Sequence, residues 1–201
     1  MSDEDIKQRF DRDVAEHQMT VLLDNGVFRH IRFGQPGTSN ASFYLTTWPM
    51  HLCFSGDMGT YVFSRLEDMF EFFRGRRANF SYWAEKVQAE DKHSKTFKFS
   101  RDLFEAALKE DFESFWERYG NDDDEAKAEA WSDIEDQVLE GDETVVAAVA
   151  RAHEFEHEGQ QVFTDFWDNQ LEGFTHHFRW CCHALVWGIA KYDAEKAKVT
   201  T

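Results

Sequence analysis

Only two prolines, Pro36 and Pro49, interrupt the 201 residues, so no proline-rich linker divides the chain. A single domain over residues 1–201 is expected. Three cysteines, Cys53 and the adjacent Cys181 and Cys182, form neither an even disulfide framework nor a spaced zinc pattern. They read as reduced core residues. No stretch approaches the run of about 18 apolar residues that a membrane span requires. The opening "MSDEDIKQRF" has neither a basic n-region nor an apolar h-region, and a cytoplasmic protein is expected. P-loop, G-x-G-x-x-G and G-x-S-x-G patterns are also absent, so nothing in the chain names a cofactor.

Basic residues are scarce as well: 22 Lys and Arg face 39 Asp and Glu, a net charge of -17. Between Glu105 and Glu158 the balance is 19 acidic against four basic residues (Lys109, Arg118, Lys127, Arg151), or -15. The remainder holds 20 acidic and 18 basic residues, a balance of -2. Adaptation to high salt would spread acid over the whole surface, so this segregation points to a local cause.

Aromatic residues are plentiful. Twenty Phe and seven Trp supply large rings for a core, despite a mean hydropathy of -0.64. Residues 3–18 read as a helix capped by Ser2, with Ile6, Phe10 and Val14 at four-residue spacing. "VFRHIRF" (27–33), "SFYLTTW" (42–48), "HLCFSG" (51–56) and "GTYVFS" (59–64) read as four strands of an antiparallel meander in a β-rich part over about 20–75. Gly56 and Gly59 bracket Asp57-Met58 as a hairpin turn. Ser64-Arg65-Leu66-Glu67 has the S-x-x-E form of a capping box, predicting a helix with Leu66, Phe70 and Phe73 on its apolar face. Gly75 suits its stop, and Arg74, Arg76 and Arg77 suit its C-terminal dipole.

A short helix is expected at "SYWAEKVQAE", before a helical, acidic part over about 100–197. Ser100 caps a helix over 101–119 with Phe104, Leu108, Phe112, Phe115 and Tyr119 on one face. A second spans about 123–140 with Trp131, Ile134 and Val138 inward, and a third about 143–157, after Asp142 as cap. Residues 177–197 form a largely apolar final helix. The expected class is α+β.

Two patterns carry candidate chemistry. "HEFEH" at 153–157 fits H-E-x-x-H, in which His153 and His157 would hold zinc and Glu154 would polarise a water. Glu172, His176 and His177 are the third-ligand candidates, and a solvated acidic helix end is the alternative. "CCH" at 181–183 offers adjacent thiols, a poor chelate and a poor redox pair. On the second acidic helix Glu125, Glu129, Asp133, Asp136 and Glu140 follow 4, 4, 3, 4 spacing, forming one stripe with about 5–6 Å between successive members. Like charges at this spacing each cost a few tenths of a kcal/mol. Such a stripe is either a solvated face or a set of carboxylates that stand in for nucleic-acid phosphates before a basic groove. Direct binding of nucleic acid is not expected of so acidic a chain.

The run "TTWPMHLCFSGDMGTYVFSRLEDMFEFFR", with "SYWAEKVQAED" and "FRWCCHALVWGIAKYD", resembles a family of small proteins found in bacteriophages and prophages. The resemblance covers about residues 24–92 and 160–194. It implies an accessory phage protein in a bacterial cytoplasm and carries no catalytic residues with it. By analogy with anti-CRISPR proteins, the expected activity is stoichiometric inhibition of a host nucleic-acid-binding defence protein or ribonucleoprotein. The partner-binding residues are then Glu125, Glu129, Asp133, Asp136 and Glu140, without metal or cofactor. The rival expectations are a zinc hydrolase on HEFEH and a self-associating phage component, with a homodimer the simplest assembly.

Overall fold

A computed structural model describes residues 2–75, 77–120, 123–141 and 143–199. The elements in chain order are α1 (Asp3–Asp13), β1 (Gln18–Asn25), β2 (Phe28–Gly34), β3 (Phe43–Trp48), β4 (His51–Gly56), β5 (Gly59–Ser64), α2 (Met69–Phe73), α3 (Phe80–Ala84) and β6 (Val87–Glu90). There follow β7 (Phe97–Phe99), α4 (Arg101–Tyr119), α5 (Asp124–Ile134), a π-helical turn (Glu135–Leu139), α6 (Val145–Glu154), β8 (Glu156–His157), β9 (Gln160–Gln161), β10 (Glu172–Phe174) and α7 (His176–Val199). The chain forms two compact units. One joins Met1–Thr96 to Phe174–Thr201, and the other is Phe97–Gly173.

The first unit is built on a six-stranded antiparallel sheet in the order β1-β2-β3-β4-β5-β6. Its alternation is regular: Ile31, Phe33, Phe43, Leu45, Leu52, Phe54, Tyr61 and Phe63 are buried on one face. Between them, His30, Tyr44, Thr46, Cys53 and Val62 remain half-exposed, as expected for a sheet with one covered face. Phe178, Trp180, Leu185 and Ile189 of α7 share the core with Ile6 and Phe10 of α1 and with Phe70 and Phe73 of α2. Rings interlock edge to face, Phe10 on Trp180 with centroids 5.1 Å apart. A Cβ at Gly188 would lie 3.1 Å from Leu45 Cδ1, so glycine lets α7 approach β3 this closely. Cys181 and Cys182 are fully buried, and burial raises both thiols well above the ordinary value.

Six strands replace the four expected, because two edge strands hide from pattern reading. In β1, Val21, Leu22 and Leu23 are adjacent, and the register shifts between Val21 and Leu23. The bulge breaks the alternation, and all three residues are exposed. Helix α1 ends at Asp13, well short of residue 18, although its Ser2–Asp5 capping box forms. At the other edge, the expected helix at "SYWAEKVQAE" ends at Ala84 and the chain turns into β6, where Ala89 pairs with Val62.

The capping box expected at Ser64 does not form. Ser64 closes β5 and donates its N–H to the Lys86 carbonyl, and the following helix is capped instead by Asp68, which accepts the Phe70 N–H at 2.9 Å. Leu66 therefore lies outside the helix and is exposed, whereas Phe70 and Phe73 are buried. The Asp57-Met58 hairpin forms between Gly56 and Gly59, and the Asp57 carboxylate accepts the Ala41 N–H at 2.8 Å. Asp57 is thus a turn residue that ties down the loop before β3.

The second unit packs Phe104, Leu108, Phe112 and Trp116 of α4 with Ile134, Val138, Ala148, Phe163 and Phe166. The Ser100 hydroxyl caps α4 by accepting the Leu103 N–H. Tyr119, expected on the buried face, is 58% exposed, and Trp116 takes the inward place in the last turn. The expected 123–140 helix is interrupted: α5 stops at Ile134 and passes into the π-helical turn, whose wider winding lets the neighbours Val138 and Leu139 both face the core. Thr144 caps α6 by accepting the Ala147 N–H; Asp142, expected to cap it, lies outside the described residues.

Candidate partner-binding surface

The second unit carries the whole net charge of the chain. Phe97–Gly173 holds 23 acidic and 6 basic residues, a balance of -17, which leaves 16 of each sign for the first unit. Several of its few cations are already engaged at home. Lys109 pairs with Glu105 at 2.6 Å and lies 5.5 Å from the Trp131 ring centre. Lys127 pairs with Glu113 at 2.5 Å, and Arg151 donates to the Val138 carbonyl at 2.8 Å. The guanidinium of Arg118 sits over the Tyr119 ring at 5.9 Å.

Glu125, Glu129, Asp133, Asp136 and Glu140 are all exposed, and among the described residues none of the five has a cationic partner. They do not share one straight helix face. Glu125, Glu129 and Asp133 lie on α5, where 100° per residue spreads them over an arc of about 80°. Asp136 sits in the π-helical turn, and Glu140 lies beyond it with extended backbone, φ -78° and ψ 137°. The expected stripe is therefore a three-carboxylate helical row extended by two residues at a changed angle. Trp131 is half-buried and donates its indole N–H to Glu135 at 2.9 Å, which sets that carboxylate toward the helix.

The HEFEH segment does not form the helix that its zinc reading requires. Helix α6 ends at Glu154, Phe155 is its extended cap at ψ 126°, and Glu156 and His157 enter β8. His153 and His157 are thereby removed from successive turns of one helix. His153 Nδ1 lies 2.8 Å from Gln161 Nε2 and its ring is 6.4 Å from that of Trp167, while the His157 ring lies 5.6 Å from that of Trp116. Among the described residues no group of three or more His, Cys, Asp or Glu is placed to hold a metal ion. The basic cluster also disperses: Arg74 pairs with Asp193 at 2.7 Å and with Glu71, and Arg76 lies outside the described residues.

Asp111 had no signal in the sequence. It lines a pocket of about 340 Å³ with Ser114, Arg118, Gln161 and Thr164. Burial raises its carboxyl above the ordinary value, opposed by Asn169, whose amide nitrogen is 3.5 Å away. That neighbour is 58 residues distant in the chain, so local spacing could not reveal it. The chain matches no family model, no curated protein and no solved structure.

Proposed function

We propose that the chain is a stoichiometric inhibitor whose acidic second unit occupies the basic, nucleic-acid-binding groove of a partner protein or ribonucleoprotein. One observation carries this reading: the charge of -17 resides in one compact unit while the other is balanced at 16 against 16. Acidity that served solubility alone would have no reason to avoid the first unit, and like charges concentrated on one small body repel one another. A partner rich in Arg and Lys relieves that repulsion and gains charge-assisted hydrogen bonds. Glu125, Glu129 and Asp133 form the leading edge of the surface, flanked by Asp136 and Glu140.

The resemblance to phage and prophage proteins supplies the context. A host defence complex that grips nucleic acid is the partner class, and the inhibitor acts in the bacterial cytoplasm without cofactor. The test is a pull-down from the lysate of a defence-competent bacterium, with identification of what is retained and elution by added nucleic acid. A retained nucleic-acid-binding complex that duplex or single-stranded nucleic acid displaces supports the reading. A complex that stays bound in excess nucleic acid, or retention of the chain's own copies alone, contradicts it.

A further inference from the structure

The first unit contains a cleft of about 1130 Å³ between one face of α1, the segment leading into α3, and α7. Its size is just above the range of about 300–1,000 Å³ typical of small-molecule sites. Phe80, Phe174, Val186 and Trp187 supply half-buried apolar walls. His183 lies between the walls, its ring 5.5 Å from that of Phe80 and 6.0 Å from that of Phe10. Burial first, and the Lys7 ammonium second, lower the pKa of this imidazole, and its Nε2 is buried without a hydrogen-bond partner. An unsatisfied polar atom beside an open cleft is a cost that a bound molecule can relieve by repacking the ring.

The rim mixes three cations with two carboxylates. Lys7, Arg77 and Arg179 face Asp3 and Glu4. Arg179 is held by Asp3 at 2.8 Å and Lys7 by Asp11 at 2.5 Å. Arg77 is exposed and has no ion pair among the described residues. We propose that this cleft binds a small amphipathic anion, a planar aromatic carboxylate or sulfonate, with its apolar body against Phe80, Phe174 and Trp187 and its charge toward Arg77. The apolar walls account for the body and the uncommitted guanidinium for the charge, as in ligand sites where a few polar groups orient a mostly apolar molecule. The site belongs to the first unit alone and stands independently of the acidic surface.

The probe is anilinonaphthalene sulfonate, an aromatic anion, titrated into the full chain by fluorescence, with uncharged phenylnaphthylamine as its neutral counterpart. The expected result is saturable binding of one probe per chain. Ala190→Trp, at an exposed lining position, fills the cleft and abolishes binding of both probes. Arg77→Glu weakens the anion by about fivefold, the scale of one exposed ion pair, and leaves the neutral probe unchanged. Val186→Phe, which fills the cleft from one turn earlier on the same face of α7, repeats the first result should Ala190→Trp unfold by circular dichroism. Absence of saturable binding, binding that survives the filling substitutions, or equal behaviour of the two probes toward Arg77→Glu overturns the proposal.

Discussion

Arg29 is a cation on the covered face of the sheet, only 8% exposed. Its two terminal nitrogens donate to the two Asp68 oxygens at 2.8 Å each, and its guanidinium carbon lies 4.5 Å from the centre of the Phe70 ring and 5.6 Å from that of Tyr192. Burial alone would raise the Asp68 carboxyl, but the bonds from Arg29 and from the Phe70 amide outweigh it and hold the group below the ordinary carboxylate range. A carboxyl depressed in the folded state stabilises fully above its unfolded value of about 3.9, and the contribution is lost as pH falls through the folded value. Asp68→Asn keeps a side chain that can cap α2 but leaves the guanidinium without its counter-ion. We expect a loss of about 3 kcal/mol at pH 7, and a smaller difference between variant and parent as pH falls below about 4, both read from urea unfolding. An unchanged midpoint at pH 7 would remove the pair from the account. Alternation in "VFRHIRF" already places Arg29 on the same face as Ile31 and Phe33, so its burial was legible. Its partner, 39 residues away, was not.

Among the elements, α4 was the most legible, since a Ser cap and a periodic row of rings agree over Arg101–Tyr119. The end of its buried face was not, because Trp116 and Tyr119 both fit the aromatic pattern and tertiary packing selects Trp116. Phe112→Ala should cost about 3–4 kcal/mol as a cavity, whereas Tyr119→Ala should cost under about 0.5 kcal/mol. Denaturant unfolding of the two variants checks the assignment, and equal losses would restore Tyr119 to the core. The π-helical turn had no signature in composition: it arises where Val138 and Leu139 are buried side by side and Arg151 takes the Val138 carbonyl. β1 and β6 escaped for a related reason. Edge strands bury little, so their sequences are not held to strict alternation. HEFEH shows the converse, a motif complete in letters whose helix ends at Glu154 before the second histidine.

At the scale of the whole molecule, the distribution of charge is legible in the sequence. The acidic segment Glu105–Glu158 falls wholly inside the unit Phe97–Gly173, because charge balance follows from counting and needs no geometry. The three-dimensional placement of the carboxylates did need it, and only Glu125, Glu129 and Asp133 remain on one regular helix. Concentrated like charge also has a cost without a partner. Raising salt from about 0.02 to 0.5 M shortens the screening length from tens of ångströms to a few. The second unit should then become more stable, seen as slower amide exchange in α4 and α5, with little change in the balanced first unit.

The most direct test of the central claim compares the parent with the triple variant Glu125→Lys, Glu129→Lys, Asp133→Lys, verified as folded by circular dichroism, in the lysate pull-down at stepped salt. The parent should release its partner progressively as salt rises, and the variant should fail to retain it even at the lowest salt. Equal retention of the same partner by both proteins would contradict the claim that these carboxylates form the binding surface.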